Sequence, residues 1–155
     1  NDYEEDSKKI LNQLVEISNE HPDKNFLLMH MAQIEIKEAK FILKNTNNVH
    51  FITSHSDPYR AKNEKRKRLG TAQTGWITLF NKKDNLKKKW KNLMNENPHR
   101  FVFALDNVFD HHWKKKYKER IYFWRKALAS LNKDTALLIA CGNANNYFKL
   151  EVKCK

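Results

Sequence analysis

The chain has few residues that interrupt secondary structure or form disulfides, and it has no long apolar segment. Its 155 residues include three glycines, three prolines and two cysteines. Collagen-like and linker-like chains, which are rich in glycine or proline, are therefore excluded. No stretch approaches the roughly 18 consecutive apolar residues of a membrane-spanning helix. Aromatic residues make up 12% of the chain, and they supply the apolar burial that disordered proteins lack.

The two cysteines, Cys141 and Cys154, are not accompanied by the Cys and His spacing of a zinc site. We expect two reduced, partly buried thiols, because free cysteine commonly behaves as a small core residue. Unpaired cysteines and the lack of a recognisable signal peptide together predict an intracellular protein.

Acidic residues are scarce after the first quarter of the chain. Residues 1–44 contain nine acidic and six basic residues, whereas residues 45–155 contain nine acidic and 24 basic residues. The net charge is +12. Such an asymmetry concerns partners rather than fold, and it favours a polyanion such as nucleic acid.

The length predicts one domain over residues 1–155. Within it, we expect a helical, acidic-to-neutral part over 1–44 and a basic, sheet-containing part over 45–155. The chain begins at Asn1 rather than Met, so the alternative that it is a fragment of a larger protein stays open.

Hydrophobic patterning predicts helices and strands along the chain. Helices are expected to begin near Ser7 and Asp84 and to occupy 25–44 and 110–131; strands are expected at 48–54, 75–80, 100–105, 135–141 and 147–154. The helix after Asp84 has an amphipathic apolar stripe that consists of Leu86, Trp90, Leu93 and Met94. The last two strands would form a β-hairpin around the turn 142–146, with Cys141 opposite Tyr147, so we expect no intramolecular disulfide. The order predicts an α+β fold: a single domain with about four helices packed on a mixed or antiparallel sheet of about five strands, ending in that C-terminal β-hairpin.

A basic loop follows the first predicted strand, with six Lys or Arg residues in the nine positions 60–68. Lys and Arg near phosphates add affinity mainly by releasing counterions, without reading sequence. We therefore predict nucleic-acid contacts from this loop; a solvated loop or a nuclear-import patch is the alternative. The residues concerned are Arg60, Lys62, Lys65, Arg66, Lys67 and Arg68.

The predicted helix 110–131 has an apolar stripe that includes Trp113, Tyr117 and Trp124, which we expect to be buried. Its opposite face offers four bases around one aromatic residue, as a base-stacking platform on a phosphate track would need. The alternative is that Tyr122 packs against a neighbouring helix while the bases only solvate the surface. This face consists of Lys115, Lys118, Tyr122, Arg125 and Lys126.

Two segments contain metal-ligating residue types without a recognised ligand spacing. One, "LDNVFDHHW", contains Asp106, Asp110, His111 and His112; the other, "HFITSHSD", contains His50, His55 and Asp57. Adjacent histidines on a helix point about 100° apart, and Asp110 is more simply explained as a helix cap. We therefore predict no metal site, no cofactor and no catalytic residue.

Near the end of the chain, "LEVK" places Glu151 and Lys153 on one face of a predicted strand. These residues resemble the E-x-K half of the PD-(D/E)XK nuclease signature, in which acids hold Mg²⁺ and the lysine assists the attacking water. The first acid of the signature is not matched, because Asp134 falls on the opposite face.

The leading functional prediction is nucleic-acid binding through phosphate, by the loop 60–68 and the basic face of helix 110–131. The option that the chain is the recognition module of a larger nucleic-acid enzyme stays open. Two alternatives stay open. One is a metal-dependent nuclease that uses Glu151 and Lys153. The other is a protein-interaction module whose basic face binds an acidic partner.

Overall fold

The computed structural model describes residues 2–57 and 77–154 of the chain. Most of these residues are helical, and three short strands form one sheet. The α-helices, in chain order, are α1 (Asp2–Glu20), α2 (Ile36–Asn45), α3 (Lys88–Glu96), α4 (Asp110–Trp113), α5 (Lys115–Ala129), α6 (Lys133–Leu137) and α7 (Asn143–Phe148). The strands are β1 (Phe26–Leu28), β2 (Val49–Ile52) and β3 (Phe101–Val102). Short 3₁₀ turns cover Met29–Gln33 and Pro98–Arg100, and a π-helical turn covers Leu138–Gly142.

The sheet is parallel throughout, in the order β1-β2-β3. Phe26 pairs with Val49, and Phe51 of the central strand pairs with Phe101. Helix α2 connects β1 to β2, and helix α3 precedes β3, in keeping with the long crossovers that parallel strands require. The carboxyl ends of all three strands therefore lie along one edge of the sheet, and the amino ends lie along the other.

The core forms where α2, α3 and α5 pack against this sheet. Trp124 of α5 is buried, and its ring meets that of Phe80 edge-on at 5.2 Å between centroids. Trp90, Leu93 and Met94 are the buried face of α3, so the apolar stripe predicted for this segment is confirmed. Within residues 2–57 and 77–154, none of the helices combines the length and the apolar character needed to cross a bilayer.

The predicted α+β fold, with about five strands and a C-terminal hairpin, is wrong. The structure is mostly helical with a three-stranded parallel sheet. The region 25–44, predicted as one helix, contains β1 and a 3₁₀ turn before α2 begins. The described part of 75–80 contributes a single bridge between Phe80 and Leu86 rather than a strand. A short apolar run is compatible with either a strand or a buried helix, so its pattern alone does not decide between them.

The C-terminal region shows the same ambiguity. Residues 133–148, which include the first predicted hairpin strand, are helical, and residues 150–154 have no regular structure. The strand face that would carry Glu151 and Lys153 is therefore not formed, and both side chains are exposed.

The cysteines are bonded to each other, so the prediction of two unpaired thiols is wrong. Lys149 adopts a left-handed conformation (φ 51°), and the chain then turns back along α7. The Asn145 side chain holds the returning segment through two hydrogen bonds with the backbone of Val152, at 3.0 and 3.1 Å. This reversal brings Cys154 to Cys141, with 5.7 Å between their Cα atoms. The argument from unpaired cysteines for an intracellular protein is therefore lost.

The predicted helix 110–131 is divided at Lys114, whose ψ of −131° is not helical. Because the break rotates α4 relative to α5, Trp113 leaves the apolar stripe and is 60% exposed, contrary to the prediction. Trp124 is buried as predicted, and Tyr117 is half-buried with its ring stacked on that of Trp113.

Candidate metal centre

Three metal-ligating side chains meet at the carboxyl edge of the sheet. His30 follows β1 by two residues, His55 follows β2 by three, and Asp106 follows β3 by four. One ligand atom from each lies within 4.8 Å of the others. In open parallel sheets, ligands bind outside the carboxyl ends of the strands. The topology therefore assembles these residues where such folds place their functional sites.

The distances suit a shared metal ion. His55 Nδ1 lies 3.0 Å from His30 Nδ1 and 3.0 Å from Asp106 Oδ2. His30 Nε2 lies 3.9 Å from Asp106 Oδ2. Ligand atoms about 2.1 Å from a metal ion are about 3.0 Å apart at right angles and about 3.4 Å apart at tetrahedral angles. The two 3.0 Å separations match this spacing, whereas the 3.9 Å separation, which involves the other His30 nitrogen, exceeds it.

Neighbouring hydroxyl and amide groups orient these residues. Ser54 Oγ accepts a hydrogen bond from the His30 backbone N–H at 3.2 Å and lies 2.8 Å from its Nδ1. The Gln33 amide donates to the His30 carbonyl at 2.8 Å. Thr53 Oγ1 joins the segment after β2 to the segment after β3, because it accepts from the Ala104 N–H at 3.1 Å and donates to the Ala104 carbonyl at 3.2 Å.

The backbone at all three candidate ligands is left-handed. The φ angles are 56° at His30, 58° at His55 and 56° at Asp106. Left-handed conformations cost an L-residue about 1–2 kcal/mol each, and strained residues of this kind cluster at functional sites. The turn after β1 continues in this conformation through Gln33. The surrounding structure holds the three side chains together against a local conformational preference.

The candidate ligands are enclosed but accessible. Side-chain exposure is 29% for His30, 13% for His55 and 23% for Asp106. Catalytic zinc sites commonly have three protein ligands and leave a further position for water or substrate. Two imidazoles and one carboxylate also suit other first-row divalent ions. Among residues 2–57 and 77–154, the arrangement therefore provides the three protein ligands that are common at catalytic metal ions.

A buried ion pair lies beside this centre. Arg120 of α5 and Asp57 are each 1% exposed, and Arg120 Nε donates to Asp57 Oδ2 at 2.9 Å. The guanidinium also donates to the Asn107 side-chain oxygen at 2.7 Å and to the Leu105 carbonyl. Asp57 is two residues from His55, and the other two acceptors flank Asp106. Arg120 therefore joins the segments that carry two of the candidate ligands.

The opposite, amino edge of the sheet contains a second polar cluster of another kind. Burial, followed by the nearby positive charge of Arg100, lowers the pKa of His50 to about 4, although the His99 carbonyl favours the protonated ring. His50 is therefore neutral near pH 7. Its Nε2 lies 3.1 Å from Asn25 Oδ1, and its Nδ1 lies 2.7 Å from the hydroxyl of Tyr147, which donates to the His99 carbonyl.

Arg100 completes this amino-edge cluster through the backbone. Its guanidinium donates to the Val49 carbonyl at 2.6 Å and to the carbonyl and hydroxyl of Thr46, both at 2.8 Å. Burial lowers the pKa of Arg100 and raises the pKa of the Tyr147 hydroxyl. These contacts link the segment before β3 to the segment in which β2 begins.

The residues predicted to bind nucleic acid fall in two places. The loop residues Arg60, Lys62, Lys65, Arg66, Lys67 and Arg68 lie outside the described residues. On α5, Lys118, Tyr122, Arg125 and Lys126 are exposed, and Lys115 is the first residue of the helix. Tyr122 is 65% exposed, so no helix within 2–57 or 77–154 covers it.

Of the residues weighed as metal ligands, the structure brings together His55 and Asp106, one from each segment, and adds His30. His112 is buried and its Nδ1 accepts from the Val108 N–H at 3.1 Å, while His50 lies at the other end of the sheet. His30 was missed because it was assigned to the interior of a helix. A usable signal was present: "FLLMH", "HFITSH" and "FVFALD" each end a β-like apolar run with a potential ligand.

Comparison of the chain with protein-family models, with curated proteins and with solved structures finds no match. Functional inference therefore rests on the geometry of the described residues.

Proposed function

We propose that this chain is a metal-dependent hydrolase whose metal ion is bound by His30, His55 and Asp106. The observation that carries the proposal is the meeting of three ligand atoms, one after each of the three parallel strands, at the carboxyl edge of the sheet. Zn²⁺ is the first candidate, because two imidazoles and one carboxylate are a ligand set typical of catalytic zinc.

The three candidate ligands would contribute to metal binding in different ways. His30 and His55 would provide imidazole nitrogen ligands, and the Asp106 carboxylate would compensate part of the charge of the ion. A divalent ion held there would polarise a carbonyl or phosphoryl oxygen and lower the pKa of a bound water. Water is then the only co-substrate needed, which is why hydrolysis is the simplest reaction for this site.

The charge of the chain favours an anionic substrate. Residues 45–155, which contain two of the three candidate ligands, have 15 more basic than acidic residues. A positive potential of this kind concentrates anions and raises their rate of encounter with a site. We therefore propose carboxylate- or phosphate-bearing substrates, with a hydrolysable ester or amide bond.

The test begins with metal binding. Chelator-treated protein is titrated with Zn²⁺, Mn²⁺ and Co²⁺ by calorimetry, and we expect one ion per chain. His30→Ala, His55→Ala and Asp106→Ala should each weaken binding by about 100-fold or more, since even outer-shell changes cost 10- to 100-fold. His111→Ala, at an exposed histidine outside the centre, is the matched control.

Hydrolysis is then assayed with each metal on 4-nitrophenyl esters and 4-nitrophenyl phosphates that differ in charge. We expect metal-dependent turnover that the three ligand variants lose and the His111→Ala variant keeps. An absence of stoichiometric metal binding in the wild-type protein, or equal loss in the control, would contradict the proposal.

We propose nucleic-acid binding as a second candidate function, because the basic face of α5 is exposed together with Tyr122. Anisotropy with labelled single- and double-stranded DNA and RNA, in EDTA at two salt concentrations, tests it. We expect a steep fall of affinity with salt and a large loss on combined Lys118→Ala, Arg125→Ala and Lys126→Ala substitution. Lys8→Ala with Lys9→Ala on α1 is the control.

Affinity that is independent of salt would exclude phosphate contacts. Selective capture of acidic protein by the basic face of α5 would favour the interaction-module alternative.

A further inference from the structure

The buried guanidinium of Arg120 contacts both segments that carry His55 and Asp106. It reaches Asp57, two residues beyond His55, and it reaches residues on either side of Asp106. Arginine has five N–H donors in a planar fork, so one side chain can satisfy acceptors from two segments at once. A lysine ammonium in this position would be a point donor without that fixed geometry.

Stability alone is a poor explanation for this pair. Removing two charges from water is costly, and replacing a buried ion pair with apolar residues of similar size is often neutral or stabilising. Arg120 and Asp57 are both almost completely buried. What the pair provides, and an apolar pair would not, is a directional link between Leu105 and Asn107 on one side and Asp57 on the other.

We infer that Arg120 is a positioning residue for the metal centre: it sets the separation between the His55 and Asp106 ligands and thereby the metal affinity and coordination geometry. The inference rests on the proposed function. Its mechanism is local, because Asp106 lies between the two Arg120 acceptors on its own segment. A displaced guanidinium would release the left-handed turn at Asp106 and move the carboxylate away from His55.

The chain offers a matched control in Arg100. It is also an arginine held by three hydrogen bonds, but it lies at the amino edge and its acceptors belong to Val49 and Thr46. A loss that comes only from a less stable fold should appear equally in an Arg100 variant. A loss of ligand placement should appear only in Arg120 variants.

Three Arg120 variants separate positioning from stability. Arg120→Lys keeps a positive charge beside Asp57 but loses the planar fork of N–H donors. Arg120→Met removes the positive charge. Arg120→Met combined with Asp57→Leu removes both charges of the ion pair. Arg100→Met is the control. Each is measured by urea unfolding, by Zn²⁺ affinity of the folded protein at 25 °C, and by the visible absorption of the Co²⁺-loaded protein, which reports coordination geometry.

We expect the double variant to fold and to bind Zn²⁺ about 10- to 100-fold more weakly, with an altered Co²⁺ spectrum. Arg120→Lys should show the same spectral change with a smaller loss of affinity. Arg100→Met should lose stability while its Zn²⁺ affinity stays within about twofold of wild type.

The inference is overturned if the wild-type chain binds metal and turns over substrate while folded Arg120→Lys and the double variant keep the wild-type metal affinity and Co²⁺ spectrum. The proposed function would then still stand. If the wild-type chain binds no metal, the proposed function fails, and the inference fails with it. If the double variant does not fold, Arg120→Lys decides between these outcomes.

Discussion

The two edges of the parallel sheet contain similar residue types in different arrangements. At the amino edge, Arg100 and Asn48 donate mainly to backbone carbonyls, and His50 is bound on both ring nitrogens. At the carboxyl edge, His30 and His55 approach each other and a carboxylate, and their backbones are left-handed.

This difference separates structural from functional histidines. A histidine whose ring nitrogens are occupied by partners on neighbouring elements stabilises the fold, as His50 does. A histidine that shares its surroundings with another histidine and an aspartate, in a strained turn, fits a ligand role. The left-handed backbone at His30, His55 and Asp106 supports the same division.

The largest effect is expected from Asn48 at the amino edge. Its side-chain amide nitrogen lies 2.8–2.9 Å from the carbonyl oxygens of Ser18, His21 and Lys24, which share its two N–H donors. Asn48→Ala leaves these groups without their donor and should lower the free energy of unfolding by about 3 kcal/mol. Urea unfolding measures this, with the exposed Asn12→Ala as control. A simultaneous large loss of metal affinity would contradict the separation of the two edges.

A pH effect of intermediate size is expected from His50. Its pKa is about 4 in the folded chain and about 6.5 when unfolded, so between these values only the unfolded state binds the proton. The stabilisation by neutral His50 is complete above about pH 6.5 and is lost as the pH falls toward 4, with about 2 kcal/mol lost by pH 5.

The measurement is the difference in unfolding free energy between wild type and His50→Gln at a series of pH values. Taking the difference cancels the titration of the carboxylates, which is common to both proteins. A difference that does not vary between pH 4 and 6.5 would show that His50 is not held neutral at this edge.

The smallest effect, of opposite sign, is expected at the carboxyl edge. Ala32 is exposed and has a φ of 50°, a conformation that glycine adopts without the penalty of a Cβ atom. Ala32→Gly should raise the free energy of unfolding by about 0.5–1 kcal/mol. Ala129→Gly, at an exposed helical position, should lower it by a similar amount. Thermal unfolding of both variants provides the comparison, and destabilisation in both would contradict strain at this turn.

Part of this arrangement is predictable from residue patterns. The strand at Val49–Ile52, the apolar stripe of α3 and the buried Trp124 were predicted from periodicity and confirmed. The failures occur in short apolar runs such as 135–141, where strand and helix patterns coincide. They also occur at Trp113, because a single non-helical residue, Lys114, rotates the turn that contains Trp113 away from the apolar stripe of α5.

The candidate site was likewise predictable only in part. Sequence alone determined the composition-dependent properties: the excess of positive charge, the apolar segments that form the core, and the presence of His and Asp residues after β-like runs. These depend on residue type and near neighbours. Only the tertiary structure decided that β1, β2 and β3 are parallel neighbours, which brings His30, His55 and Asp106 together from positions up to 76 residues apart. The physical reason is that strand order and direction depend on long-range backbone pairing and on the packing of the connecting helices, which local periodicity does not specify.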